Sequence, residues 1–169
     1  MKALIISADH FEDTELLVPL YRLQEAGLQV DVASISRGKI HGKHGYEVVV
    51  DKALRDVDAD QYDLLVLPGG KAPATLRKEA AAIAIAQAFM RGGKPVAAIC
   101  HGPQILVTAG VMQGRRATCA PSVAEELQQA GAEYEDREVV VDGNMVTSRR
   151  PADLPAFMRE IVRFLKAAG

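Results

Sequence analysis

Residues 96–104 read VAAICHGPQ. Four apolar residues carry a β-branched residue at each end, and Cys100, His101, Gly102 and Pro103 follow at once. A buried strand therefore stops in a sharp turn, and a helix starts at about Pro103, a residue suited to a first helical turn. The rest of the chain repeats this pattern in both directions. Upstream, Leu64–Leu67 is a fully apolar strand that stops at Pro68-Gly69-Gly70, Leu4–Ile6 is the first strand, and Val30–Ile35 is the second. Between them, residues 11–26 place Leu16, Leu17, Leu20 and Leu23 at helical spacing and close at Gly27. Residues 74–91 form an Ala-rich helical stretch closed by Gly92-Gly93.

Downstream, Gly110 closes the helix over 103–109, and residues 117–119 suit a further short strand. Ser122 suits the cap of a helix running to Ala130, with Glu125 completing a capping box. Residues 139–147 suit a hairpin around Asp142-Gly143-Asn144, and residues 39–50 a smaller antiparallel excursion with glycines in its turn. The terminal helix covers about 155–168. Short β-branched runs alternating with amphipathic helices specify an α/β protein. The expected architecture is one doubly wound, mostly parallel sheet sandwiched by helices, flavodoxin-like or like a class I glutamine amidotransferase, with residues 1–169 forming one domain.

Bulk properties narrow the functions. Of 169 residues, 49% are apolar and 25% charged, the net charge is −2, and no tryptophan is present, so nothing marks a nucleic-acid surface. The apolar run in MKALIISADH ends at Asp9, short of the roughly seven or more residues of a signal core, and no uncharged stretch approaches a membrane span. Two cysteines do not make a disulfide framework, which points to a reducing cytoplasm. His41 and His44 have the residue type of metal ligands, but glycines surround them and no third ligand is near, so no metal is expected. No phosphate-cradling glycine motif follows any strand, and no cofactor is expected.

Cys100 carries the chemistry. Strand, nucleophile, any residue, glycine, helix is the order of a nucleophile elbow, in which a strained turn exposes the reactive atom. Ala98 and Gly102 supply the small neighbours such a turn needs. A helix N-terminus favours a thiolate, so Cys100 is expected to titrate well below the usual thiol value of about 8.5. The alternative is a small buried hydrophobe.

Four stretches together, ADHFEDTEL, PGGKAP, AICHGPQ and VTSRRPADLPAF, make the chain resemble the ThiJ/PfpI superfamily, and within it the PfpI-like branch of intracellular cysteine peptidases and stress-associated deglycases. The resemblance implies Cys100 as nucleophile, His101 as its acid/base partner, and Glu12 as an acidic companion hydrogen-bonded to the thiol. It implies an oxyanion site built from Gly70, next to Gly69, and the His101 N–H. Arg149 falls in a family-like SR-x-P stretch and is a candidate binding residue for an anionic group. Homodimers or hexamers are also implied.

Two positions depart from that pattern. PfpI-type peptidases carry a glutamate after PGG-x-AP that reaches the histidine of a neighbouring subunit, and here that residue is Ala74. Ala120 stands where relatives often carry an aromatic residue. Cys119 is a candidate redox partner for Cys100, against the simpler reading as a buried small residue. The expected activity is therefore cysteine-dependent chemistry on small reactive carbonyls or their adducts on proteins. The alternatives are an intracellular peptidase, weakened by Ala74, and a non-enzymatic redox sensor or chaperone-like stress protein. A glutamine amidotransferase is excluded, because no histidine follows His101.

Overall fold

The computed structural model describes residues 1–169. Its centre is a seven-stranded sheet made of β1 (Lys2–Ile6), β2 (Gln29–Ser34), β5 (Lys52–Ala53), β6 (Leu64–Leu67), β7 (Val96–Ile99), β10 (Val140–Asp142) and β11 (Met145–Ser148). The order is β10-β11-β7-β6-β1-β2-β5, and every pairing is parallel except β10 with β11. The four residues of β7 are fully buried because they pair with β6 on one side and β11 on the other, while helices cover the faces.

Helix α1 (Asp13–Glu25) buries Leu16, Leu20 and Leu23, and α6 (Leu154–Ala168) buries Leu154, Phe157, Met158, Ile161 and Leu165. This three- and four-residue spacing gives each helix one apolar face. The two pack on each other and against β1, β2 and β11. Helices α3 (Ala80–Arg91) and α4 (Pro103–Thr108) pack together, with α3 against β6. From β1 the chain moves outward to β2, then returns to place β6 on the other side of β1. That reversal is the topological switch at which open α/β sheets bind ligands, beyond the carboxyl ends of the strands.

Several elements differ from the sequence-based expectation. The Ala-rich stretch is two helices, because extended Glu79 separates α2 (Ala72–Leu76) from α3. The Arg77 side chain at that break is held by Thr108 and Glu126. The first helix starts at Asp13, since Phe11 is engaged in bridges to Gly42 and Gly70. The 117–119 strand reduces to β8 (Arg116–Ala117), which pairs with β9 (Glu133–Tyr134) in a separate two-stranded sheet. Helix α5 (Ala124–Gln129) has no side-chain cap, so Ser122 does not perform the capping role expected of it. The excursion near residues 39–50 is the hairpin β3 (Gly38–His41) and β4 (Glu47–Val50), outside the main sheet. The β10–β11 hairpin is as expected, with Gly143 at φ 57° in its turn. No helix is long and apolar enough to cross a membrane.

Candidate active site

Two non-glycine residues have positive φ, His10 and Cys100, both at 64°, and both line one cavity of about 720 Å³. Left-handed backbone is costly for a residue with a Cβ, and its presence at a cavity wall directs attention there. The cavity opens at the carboxyl ends of β6 and β7 and is also lined by Lys43, Gly70, Lys71, Ala74, Thr75, His101 and Gln104.

The elbow at Cys100 is held by main-chain bonds on both sides. Its N–H donates to the Ser148 carbonyl at 3.0 Å, and its carbonyl accepts from the Ala120 N–H at 2.9 Å. Gly102 is obligatory for the tight exit, because a Cβ there would run into the Leu67 carbonyl oxygen. The sulfur lies 3.2 Å from His101 Nδ1, and the N–H groups of Gly70 and His101 face it. The other ring nitrogen, Nε2, lies 3.2 Å from Ser122 Oγ.

The acidic companion of the thiol is Glu15, one helical turn beyond the expected Glu12. Glu15 is fully buried; Oε1 accepts the Gly69 N–H at 2.9 Å. Oε2 has no hydrogen bond of full geometry, and the polar group facing this carboxyl is the Cys100 sulfur. Glu12 precedes α1 in extended conformation and turns to the β3–β4 hairpin, 2.6 Å from Lys43 Nζ and 3.5 Å from His44 Nε2. A stripe at four-residue intervals, Glu15, Pro19, Leu23, marks the buried side of α1 and could have identified Glu15 from sequence.

These surroundings set the protonation states. Burial pushes Glu15 up to about 8, against the hydrogen bond from Gly69. Burial, then the charge of Glu15, pushes the Cys100 thiol up to about 11, while the N–H groups of Gly70 and His101 and the Lys43 ammonium pull it down. The expected thiolate with a depressed pKa is thus corrected: the helix behind the elbow is only six residues, and desolvation outweighs its dipole. Each of the two groups shifts the other: the Glu15 charge raises the thiol, and the hydrogen bond from Cys100 lowers the carboxyl. His101 is lowered by burial and then by Lys43, both of which favour the neutral ring.

Three other sites singled out in the sequence are placed as follows. Arg149 does not line the cavity; its guanidinium holds both Asp153 oxygens at 3.0 and 3.1 Å and Asp136 at 3.0 Å, tying down the turn before α6. The cavity's cations are instead Lys43 and Lys71, which sequence reasoning passed over. Cys119 is fully buried, and both cysteines are free thiols. His41 faces Asp9 and Glu47 while His44 faces Glu12, so the two rings do not share partners.

Residues 1–164 match the DJ-1/PfpI family. The chain belongs to that family. A relative named a deglycase in Thermococcus kodakarensis is 56% identical over 166 residues, covering 98% of this chain and all of that one. The Pyrococcus furiosus protein named deglycase PfpI is 52% identical with the same coverage. Among solved structures, a protein of Anabaena variabilis with DJ-1/ThiJ/PfpI-like and ferritin-like domains superimposes with a TM-score of 0.97 at 36% identity. The match covers 98% of this chain and 50% of that two-domain protein. The doubly wound architecture read from the sequence is thus that of the DJ-1/PfpI family.

Proposed function

We propose that the protein is a cysteine-dependent enzyme acting on small 2-oxoaldehydes such as methylglyoxal and on their early adducts with amino and thiol groups. The observation that carries this reading is the Cys100 sulfur, set at the wall of an open cavity with a neutral imidazole 3.2 Å away and two N–H groups aimed at it. In the reaction, His101 Nδ1 takes the thiol proton as sulfur bonds to the aldehyde carbon. The Gly70 and His101 N–H groups receive the new oxyanion, which is then protonated to a hemithioacetal. The C1 proton passes to the base and returns to C2 through an enediol, leaving a lactoyl thioester. Water cleaves the thioester, giving lactic acid and the free thiol, so that methylglyoxal plus water becomes lactate and a proton. Glu15, neutral below about pH 8, adds no negative charge beside the sulfur.

The deglycase names of the Thermococcus and Pyrococcus relatives support the carbonyl substrate. Peptide hydrolysis is the weaker reading, because the cavity wall carries Ala74 where PfpI-type peptidases place a glutamate, and no carboxylate lines the cavity. The test is steady-state lactate formation from methylglyoxal. Wild type should turn over and Cys100→Ser should fall to background. Persistent turnover in the variant, or stoichiometric sulfinate formation on Cys100 with no lactate, would refute the proposal, the latter favouring a redox sensor.

A further inference from the structure

We propose that Ser122 is the positioning residue for His101, its hydroxyl holding Nε2 at 3.2 Å while Nδ1 faces the Cys100 sulfur at 3.2 Å. The inference rests on His101 acting as the base in the reaction above. Ser122 makes no helix-capping bond, which leaves its hydroxyl free for the ring. The Ala120 N–H, bonded to the Cys100 carbonyl, draws this segment over the elbow, and Ser122 follows two residues later. Residue 74, on the same cavity wall, is an alanine, so the chain's own partner for Nε2 is a hydroxyl.

The chemistry explains why a hydroxyl suffices. A neutral imidazole has one N–H and one lone pair, and it can take a proton from sulfur only if the lone pair is on Nδ1. Nε2 must then carry the hydrogen, and Ser122 Oγ accepts it. Once the ring is charged, the same oxygen still accepts, so the contact survives the proton transfer. A carboxylate there would favour the charged ring and raise its pKa, whereas a hydroxyl orients the ring and leaves it neutral. The charged groups facing His101 are few. Lys43, in the β3–β4 turn, disfavours the imidazolium, and Glu126, on α5, favours it. Glu126 is itself bound by Arg77 and by Gln104 at 3.0 Å. Ser122 is exposed, so replacing it leaves the core intact.

The test uses Ser122→Ala, Ser122→Thr and Ser122→Asp in the full chain. Nitrogen-15 spectra of histidine-labelled protein report the His101 tautomer, and the pH profiles of methylglyoxal turnover and of Cys100 alkylation report its basicity. Ser122→Ala should lose the Nε2–H preference and lower kcat/KM about fivefold, mainly in kcat, as expected for one ordinary hydrogen bond. Ser122→Thr should restore both. Ser122→Asp should move the acidic limb to higher pH, because a carboxylate beside Nε2 favours the protonated ring. An unchanged tautomer and pH profile in Ser122→Ala, or equal loss in Ser122→Thr, would overturn the assignment. If wild type does not turn over methylglyoxal, the proposed function fails, and the tautomer and the alkylation profile still decide the role of Ser122.

Discussion

Gly69 donates its N–H to Glu15 Oε1 at 2.9 Å, and a Cβ on that glycine would lie 2.5 Å from the same oxygen and 2.7 Å from the Cys100 Cβ. The turn after β6, the first helix and the elbow therefore meet at a point with no room for a methyl group. Gly69→Ala should destabilise the protein by about 1–3 kcal/mol through overpacking. It should also displace the sulfur enough to cost about a hundredfold in kcat/KM. Denaturant unfolding and lactate kinetics check both. A variant with wild-type stability and rate would mean that the meeting point has slack.

Glu15 makes stability depend on pH in a definite direction. Its pKa is about 8 in the fold against 4.5 ordinarily, so folding favours the protonated acid. That contribution is fully present below about pH 4.5 and is lost as pH rises through about 8, a change of a few kcal/mol. Glu15→Gln keeps an acceptor for the Gly69 N–H and removes the titration. Urea unfolding at pH 5 and pH 9 should show a smaller decline in the variant than in wild type. Iodoacetamide labelling of Cys100 should show a midpoint shifted below the wild-type value, because the anion beside the sulfur is gone. Equal slopes and equal midpoints would refute the pairing.

The left-handed backbone at Cys100 carries a conformational cost that glycine avoids. Cys100→Gly and Cys100→Ala should both be inactive, with the glycine variant more stable by about 1 kcal/mol, the reverse of the usual order in a regular element. Chemical denaturation of the two proteins decides it. Greater stability of the alanine variant would show that the elbow is not strained.

The sequence was most legible where local rules act alone. The apolar runs became β1, β2, β6 and β7 because strands buried on both faces need no polar alternation, and glycine closed the helices as expected. The elbow was legible because only glycine fits at residue 102 and the motif is contiguous. What failed depended on tertiary neighbours. Glu12 and Glu15 are three residues apart, and one helix rotation decides which carboxyl meets the thiol and which meets Lys43. Ser122 looked like a cap because its sequence context is that of a cap, yet an imidazole 21 residues upstream claimed the hydroxyl. Arg149 looked available for an anion until Asp153 and Asp136 were placed around it. The raised thiol pKa is not legible in the sequence, because the burial that causes it arises only when the chain folds.

The bonds that fasten the Cys100 peptide to Ser148 and Ala120 anchor the backbone that carries the sulfur. In the proposed reaction an incoming molecule brings its electrophilic carbon to that anchored residue. Under the proposed function, an adduct on a long unhindered side chain can swing into place, and one on a short side chain packed under its neighbours cannot. How freely the target moves then sets how soon it is met.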